Sequence, residues 1–150
     1  MAWLPGSVLF CCDHNAVRSP MAEGMLKKLH GARIYVQSAG VKHDMEVDGF
    51  AVSVCAEIGV ELEKHRARSF LEMQAWGEPI EAFEKIIALS PASQRAALEY
   101  TRWFSIDVEY WPTLDPTGLG ETRERKLDAY RQTRDQLLER MKAAFPVFGD

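Results

Sequence analysis

Apolar positions along the chain fall into short continuous runs that alternate with stretches of helical period. Ser7 to Cys12 (SVLFCC) is a run with Pro5-Gly6 before it and polar residues after it, which reads as a buried strand. Met21, Met25, Leu26 and Leu29 then recur at helical spacing; Ser19-Pro20 supplies a start and Gly31 a stop. Arg33 to Ser38 reads as a second strand, and Val47 to Ile58 as a helix ended by Gly59. Ser69 to Ala75 reads as a short helix closed by the Gly77-Glu78-Pro79 turn. Lys85 to Leu89 predicts a third strand, Pro91 to Tyr100 a helix, and Ile106 to Tyr110 a fourth strand. Glu121 to Phe145 predicts a long helix with Leu127, Tyr130, Leu137, Leu138, Met141 and Phe145 on one face.

Strands alternating with helices close through right-handed crossovers, which cover both faces of a parallel sheet. The expectation is an α/β fold, a flavodoxin-like three-layer α/β/α arrangement with a central four-stranded parallel sheet. No repeat, low-complexity segment or linker divides the chain, so residues 1–150 are expected to form one domain. Ligands of such sheets bind beyond the carboxyl ends of the strands. Cys12 to Arg18 occupies such an end.

Composition narrows the function classes. Lysine and arginine number 18 against 22 acidic residues, a net charge of −4, which argues against a nucleic-acid partner. A hydrophobic share of 47% argues against disorder. Apolar runs such as Ile86 to Leu89 are too short to span a membrane, and the N-terminus has neither the basic nor the apolar region of a signal peptide. Three cysteines, two of them the adjacent Cys11 and Cys12, do not make a disulfide framework, so a reducing, cytoplasmic setting is expected. Contiguous Cys11-Cys12-Asp13-His14 cannot easily close a tetrahedral site, and no glycine-rich dinucleotide loop follows the first strand. Neither a metal nor a cofactor is expected.

The chemistry concentrates in Cys12-Asp13-His14-Asn15-Ala16-Val17-Arg18-Ser19. A loop that turns into a helix N-terminus presents backbone N–H groups without intrahelical partners, and the helix dipole favours an anion there. Arg18 adds a planar guanidinium able to grip two oxygens of a phosphate-like group. The same field favours a thiolate at Cys12, hence a nucleophile. Asn15 tolerates the left-handed backbone that a tight cradle needs, and the Ser19 hydroxyl can donate to the thiolate. The blander reading makes Cys12 a strand-end residue and Arg18 a solvated one.

The segment VLFCCDHNAVRSPMAEG resembles the signature of the low-molecular-weight protein tyrosine phosphatase superfamily, which includes thiol-coupled arsenate reductases. Ser38-Ala39-Gly40, Gly59, His65-Arg66-Ala67-Arg68 and Asp115-Pro116 resemble further blocks, so the likeness covers nearly the whole chain. It implies that Cys12 attacks phosphorus to form a phosphocysteine, and that residues 13 to 19 cradle the phosphate with Arg18 stabilising its charge. It implies that Asp115 protonates the leaving oxygen and then activates water. Asn15, Ser19, Ser38 and His65 would brace the loop. The partners implied are a phosphorylated protein or a small phosphomonoester, with phosphate, sulfate or arsenate held in the loop.

Some positions depart from the phosphatase pattern. Thr117 and Gly118 stand where aromatic residues usually follow the Asp-Pro pair, and Val41 to Val47 offers no second aromatic. Asp13 sits where a neutral residue is commoner and would repel an incoming dianion if it faced the pocket. His14-Asn15-Ala16, Trp111 and the stretch from Tyr130 to Asp135 resemble the reductase branch. Yet Ser90 stands where that branch begins the segment with its resolving cysteine, and Cys55 reads as a small buried residue. The leading expectation is phosphomonoester hydrolysis of the phosphotyrosine type. The alternatives are arsenate reduction with an external thiol and a non-catalytic module that binds an anion or phosphoprotein.

Overall fold

The computed structural model describes residues 4–147. Strands β1 (Ser7–Cys12), β2 (Tyr35–Gly40), β3 (Lys85–Ala88) and β4 (Asp107–Tyr110) form one parallel sheet in the order β2-β1-β3-β4. The helices are α1 (Arg18–His30), α2 (Gly49–Ala56), α3 (Phe70–Ala75), α4 (Pro91–Tyr100) and α5 (Arg123–Ala144). The chain leaves β1 for one side of the sheet and returns through β3 on the other. The carboxyl end of β1 therefore lies at the topological switch point, where such sheets bind ligands.

The strand period of two divides the core. Val8, Phe10 and Cys12 pack with Met21, Met25, Leu26, Val54, Leu137 and Met141 of α1, α2 and α5. Leu9 and Cys11 face the opposite side, against Phe70, Met73 and Ala97 of α3 and α4. Adjacent residues of a strand point to opposite faces. Cys11 and Cys12 are therefore separated by the sheet.

Helix starts show which end is left open. Asp48 caps α2, Ser69 and Ser90 form capping boxes on α3 and α4, and Thr122 caps α5. Helix α1 follows Val17 and lacks the side-chain cap that the other four α-helices have, which leaves its start open for a ligand.

Several boundaries differ from the sequence expectation. The second strand runs from Tyr35 to Gly40 rather than Arg33 to Ser38, because residues 31–33 form a 3₁₀ turn and Gly40 pairs with Cys12. Helix α2 is shorter at both ends, since Asp48 stops to cap it and Glu57 closes it. Helix α1 begins at Arg18, one residue before Ser19-Pro20. Leu89 and Ile106 lie just outside their strands. Leu138 is only half-buried, while Thr133 and Arg134 of α5 are buried. Arg134 donates to the Val54 carbonyl at 2.7 Å and to Glu57 at 2.7 Å, which ties α5 to α2. No helix among the described residues is long and apolar enough to cross a membrane.

Candidate active site

Strand β1 ends in Cys12, and the following five residues turn the chain sharply into α1. The turn passes through Asn15, whose φ of 56° lies in the left-handed region. Asparagine tolerates that conformation better than most residues. The loop is tied to its surroundings by main-chain bonds: Val41 N–H donates to the Cys12 carbonyl at 3.1 Å, Lys42 N–H to that of Asp13 at 2.9 Å, and Asp48 N–H to that of Ala16 at 2.9 Å.

The Asn15 side chain is fully buried and fully used. Its amide donates to Ser19 Oγ at 2.8 Å and Ser38 Oγ at 2.9 Å. Its carbonyl accepts from Arg68 N–H at 3.0 Å and from His65 Nε2 at 3.0 Å. The Arg68 main chain can only donate, which fixes the amide's orientation and puts the His65 proton on Nε2. The Ser38 hydroxyl in turn donates a hydrogen bond to Glu23 Oε1 at 2.5 Å. Arg68 completes the brace from Nε to the Ser38 carbonyl at 2.9 Å and from Nη2 to Glu23 at 3.3 Å. Burial holds His65 below the ordinary histidine pKa, only partly opposed by the Glu23 charge.

Ser19 converts this brace into a setting for the sulfur. Its Oγ accepts from Asn15 and lies 3.0 Å from Cys12 Sγ, where the hydroxyl can donate to a thiolate. Ser19 N–H reaches the same sulfur at 3.4 Å. Two donors on one sulfur are the arrangement that a charged sulfur requires.

Arg18 lies beside the sulfur, only 6% exposed, with Nη1 donating to the Thr113 carbonyl at 3.1 Å. Its Nη2 is 3.8 Å from Asp13 Oδ2 and 3.8 Å from Asp115 Oδ2. The other Asp115 oxygen is held by Thr117, from N–H at 3.0 Å and Oγ1 at 2.6 Å, which leaves Oδ2 free. Asp13 thus faces Arg18, but it is not among the residues that line the cavity. At the rim His14 Nδ1 meets Asp44 Oδ1 at 2.7 Å.

A cavity of about 130 Å³ opens over the loop. Cys12 and Arg18 form its base, with Ala16 and Val17 beside them. Asp115, Thr117 and Met45 reach it from two other loops. His14 completes the lining, which contains no Phe, Tyr or Trp side chain. Asn15 and Ser19 act from beneath it, and Ser38 and His65 one layer further back. All the sequence-derived site residues therefore belong to one connected assembly, although not all line the cavity.

The other two thiols are placed differently. Burial raises the pKa of Cys11, and it pushes Cys55 up to about 12. Both are buried and unpaired. The sequence reading did not select Glu23, Arg68, Asp44, Met45 or Thr113. Glu23 had a usable signal, since it follows Ser19 by one helical turn and so shares its face. The other four reach the site through tertiary packing.

An uncapped helix start, a thiol, a buried guanidinium and a carboxylate meet around one small cavity. The sequence model of the Low molecular weight phosphotyrosine protein phosphatase family matches residues 7–145, and the chain belongs to that family. It is 28% identical over 141 residues to a glutaredoxin arsenate reductase of Synechocystis sp., covering 90% of this chain and 92% of that one. It is 28% identical over 147 residues to a protein-arginine-phosphatase of Bacillus subtilis, covering 90% and 91%. The structure of a low molecular weight protein tyrosine phosphatase from T. tengcongensis superposes with a TM-score of 0.71 at 25% identity, covering 89% of this chain and 92% of that one.

Proposed function

We propose that this enzyme hydrolyses phosphomonoesters through a phosphocysteine on Cys12. The observation that carries the reading is that Cys12 Sγ, Arg18 and Asp115 meet at one cavity, with both Ser19 donors on the sulfur. The N-terminus of α1 and the Arg18 guanidinium hold the phosphoryl oxygens. Cys12 attacks phosphorus, and Asp115 delivers a proton to the leaving oxygen. Asp115 then takes a proton from the water that cleaves the phosphorus–sulfur bond, while Ser19 stabilises the departing sulfur. The substrate is a phosphorylated protein or a small phosphomonoester, and phosphate, sulfate or arsenate can occupy the same loop. Three unpaired thiols suit a reducing, cytoplasmic setting.

The test is metal-free hydrolysis of p-nitrophenyl phosphate by the wild type, Cys12→Ser and Asp115→Asn. Turnover that vanishes without Cys12 and falls about 10²–10⁴-fold without Asp115 supports the reading. Turnover retained by Cys12→Ser contradicts it. Oxyanion binding without turnover by the folded wild type would favour a non-catalytic anion- or phosphoprotein-binding module.

A second reading is arsenate reduction with an external thiol. It is favoured by the separation of the thiols, since Cys11 lies across the sheet and Ser90 stands at the start of α4. An internal electron relay has no partner there, so the two electrons would come from two equivalents of a small thiol, which leave as a disulfide. Arsenate-dependent oxidation of such a thiol, lost in Cys12→Ser, tests it.

A further inference from the structure

The buried face of α5 carries two hydroxyls that the reaction does not use. Tyr130 and Thr133 are both buried, and three residues apart they share one side of the helix. Each donates to a different loop of the site. Tyr130 Oη donates to Asp48 Oδ2 at 2.9 Å, and Asp48 N–H donates to the Ala16 carbonyl in the loop that carries Cys12. Thr133 Oγ1 donates to the Leu114 carbonyl at 3.3 Å, one residue before Asp115. A helical threonine can satisfy its hydroxyl on the carbonyl one turn back, whereas this one reaches across to another segment. The Leu114 side chain is 64% exposed, so packing does not fix that residue. Asp115 is thus suspended between the tethered Leu114 carbonyl and the buried Pro116. Helix α5 is itself a fixed platform, since Arg134 bonds Val54 and Glu57 at the end of α2.

We propose that Thr133 is a positioning residue that sets Asp115 over the leaving oxygen, while Tyr130 on the same helix steadies the loop of the nucleophile. The proposal rests on the phosphatase reading above. Asp115 is bonded to Thr117, but both bonds lie within one turn. They orient the carboxylate on its own loop and cannot place that loop against Cys12. The contact with Arg18, at 3.8 Å, is too long for a hydrogen bond. Placement across the cavity therefore falls to Thr133 and Pro116. Burial, then the hydrogen bond to Asp48, holds the Tyr130 pKa above the ordinary tyrosine value, so its hydroxyl remains a donor. The two hydroxyls carry different kinetic signatures. A displaced acid matters more as the leaving oxygen becomes more basic, because such an oxygen cannot depart without a proton. A displaced nucleophile loop slows attack on every phosphoryl group alike.

The experiment compares kcat/KM, which reports the steps up to phosphocysteine formation, for p-nitrophenyl phosphate and phenyl phosphate. Phenolate is the poorer leaving group, so the ratio of the two substrates measures how well the acid is placed. The ratio within one preparation does not depend on its folded fraction. Asp115→Asn should raise it most. Thr133→Val, which keeps the shape and removes the hydroxyl, should raise it on the order of tenfold, through slower phenyl phosphate turnover. Thr133→Ala should do the same if valine impairs folding, and Thr133→Ser should restore the wild-type ratio. Tyr130→Phe should slow both substrates and leave the ratio unchanged. A wild-type ratio in Thr133→Val, an equal rise in Tyr130→Phe, or no restoration by Thr133→Ser overturns the proposal and leaves the phosphatase reading standing. An unchanged ratio in Asp115→Asn removes the acid from that reading and overturns both.

Discussion

Gly40 lies so close to the main chain of Asn15 that residue 40 has no room for a side chain. A Cβ at residue 40 would lie 2.7 Å from the Asn15 nitrogen and 2.7 Å from the His14 carbonyl carbon, both main-chain atoms. Backbone cannot move aside as a flexible side chain can, so the glycine is needed for approach rather than for its dihedral angles. Gly40→Ala should displace the loop that carries Cys12. The expected result is a loss of about 1–3 kcal/mol in denaturant unfolding. Activity should fall more than stability, by roughly 10²-fold, because a shift of about 1 Å disrupts attack geometry. Unchanged kcat/KM in Gly40→Ala would remove the loop's dependence on β2.

Asn15 should be as sensitive for a different reason. Its side chain makes four hydrogen bonds, and its backbone is left-handed. Asn15→Ala would leave Ser38, the Arg68 N–H and His65 without their buried partner and place a less tolerant residue at positive φ. We expect a loss of about 2–4 kcal/mol by urea unfolding, and a kcat reduced in the surviving folded fraction. Asn15→Asp should not restore activity, since a carboxylate cannot donate to Ser19.

His43 and His65 should titrate apart. His43 bridges Glu46 at 2.6 Å and Glu72 at 2.7 Å, and the hydrogen bond to Glu46 leads in holding its pKa above the usual value of 6.5. Burial holds His65 below it. The contribution of His43 is complete below its unfolded pKa and is lost as pH rises through its folded one. That of His65 runs the other way: the neutral ring is favoured above 6.5, and stability falls as pH drops toward its folded value. NMR titration should therefore show the His43 ring moving at higher pH than the His65 ring. Glu72→Gln should lower the His43 midpoint and leave His65 in place. A reversed order would contradict the bonding described for both rings.

Arg18 should not be replaceable by lysine. It donates to Thr113 from one nitrogen while presenting another to the cavity, a geometry that a point charge cannot reproduce. Arg18→Lys should lower kcat/KM by about 10²–10³-fold, and inorganic phosphate should inhibit it less strongly. Competitive inhibition constants for phosphate in both proteins check this.

Much of this architecture was legible because each short apolar run is bounded by a turn residue, and helical spacing fills each gap between runs. The error in β2 is instructive. Ser38-Ala39-Gly40 looks poor as strand, because glycine lacks a side chain to pack. Yet the register that pairs Gly40 with Cys12 is what allows the loop to lie against it. The cysteine, arginine and serine of the loop were legible because their local order is the chemistry. The carboxylate of Glu23 and the guanidinium of Arg68 were not, since each reads as an ordinary charged residue until tertiary packing buries it against Ser38. Asp13 was legible as a charge, but its orphaned oxygen is a property of the folded loop alone.

The central claim is that Cys12 carries the phosphoryl group. The direct measurement is mass spectrometry of the enzyme acid-quenched during turnover of p-nitrophenyl phosphate, using Asp115→Asn to slow breakdown of the intermediate. The account predicts one phosphoryl group on the peptide containing Cys12, absent in Cys12→Ser and absent without substrate. Steady hydrolysis with no phosphoryl group on that peptide, or with the group on another residue, would contradict it.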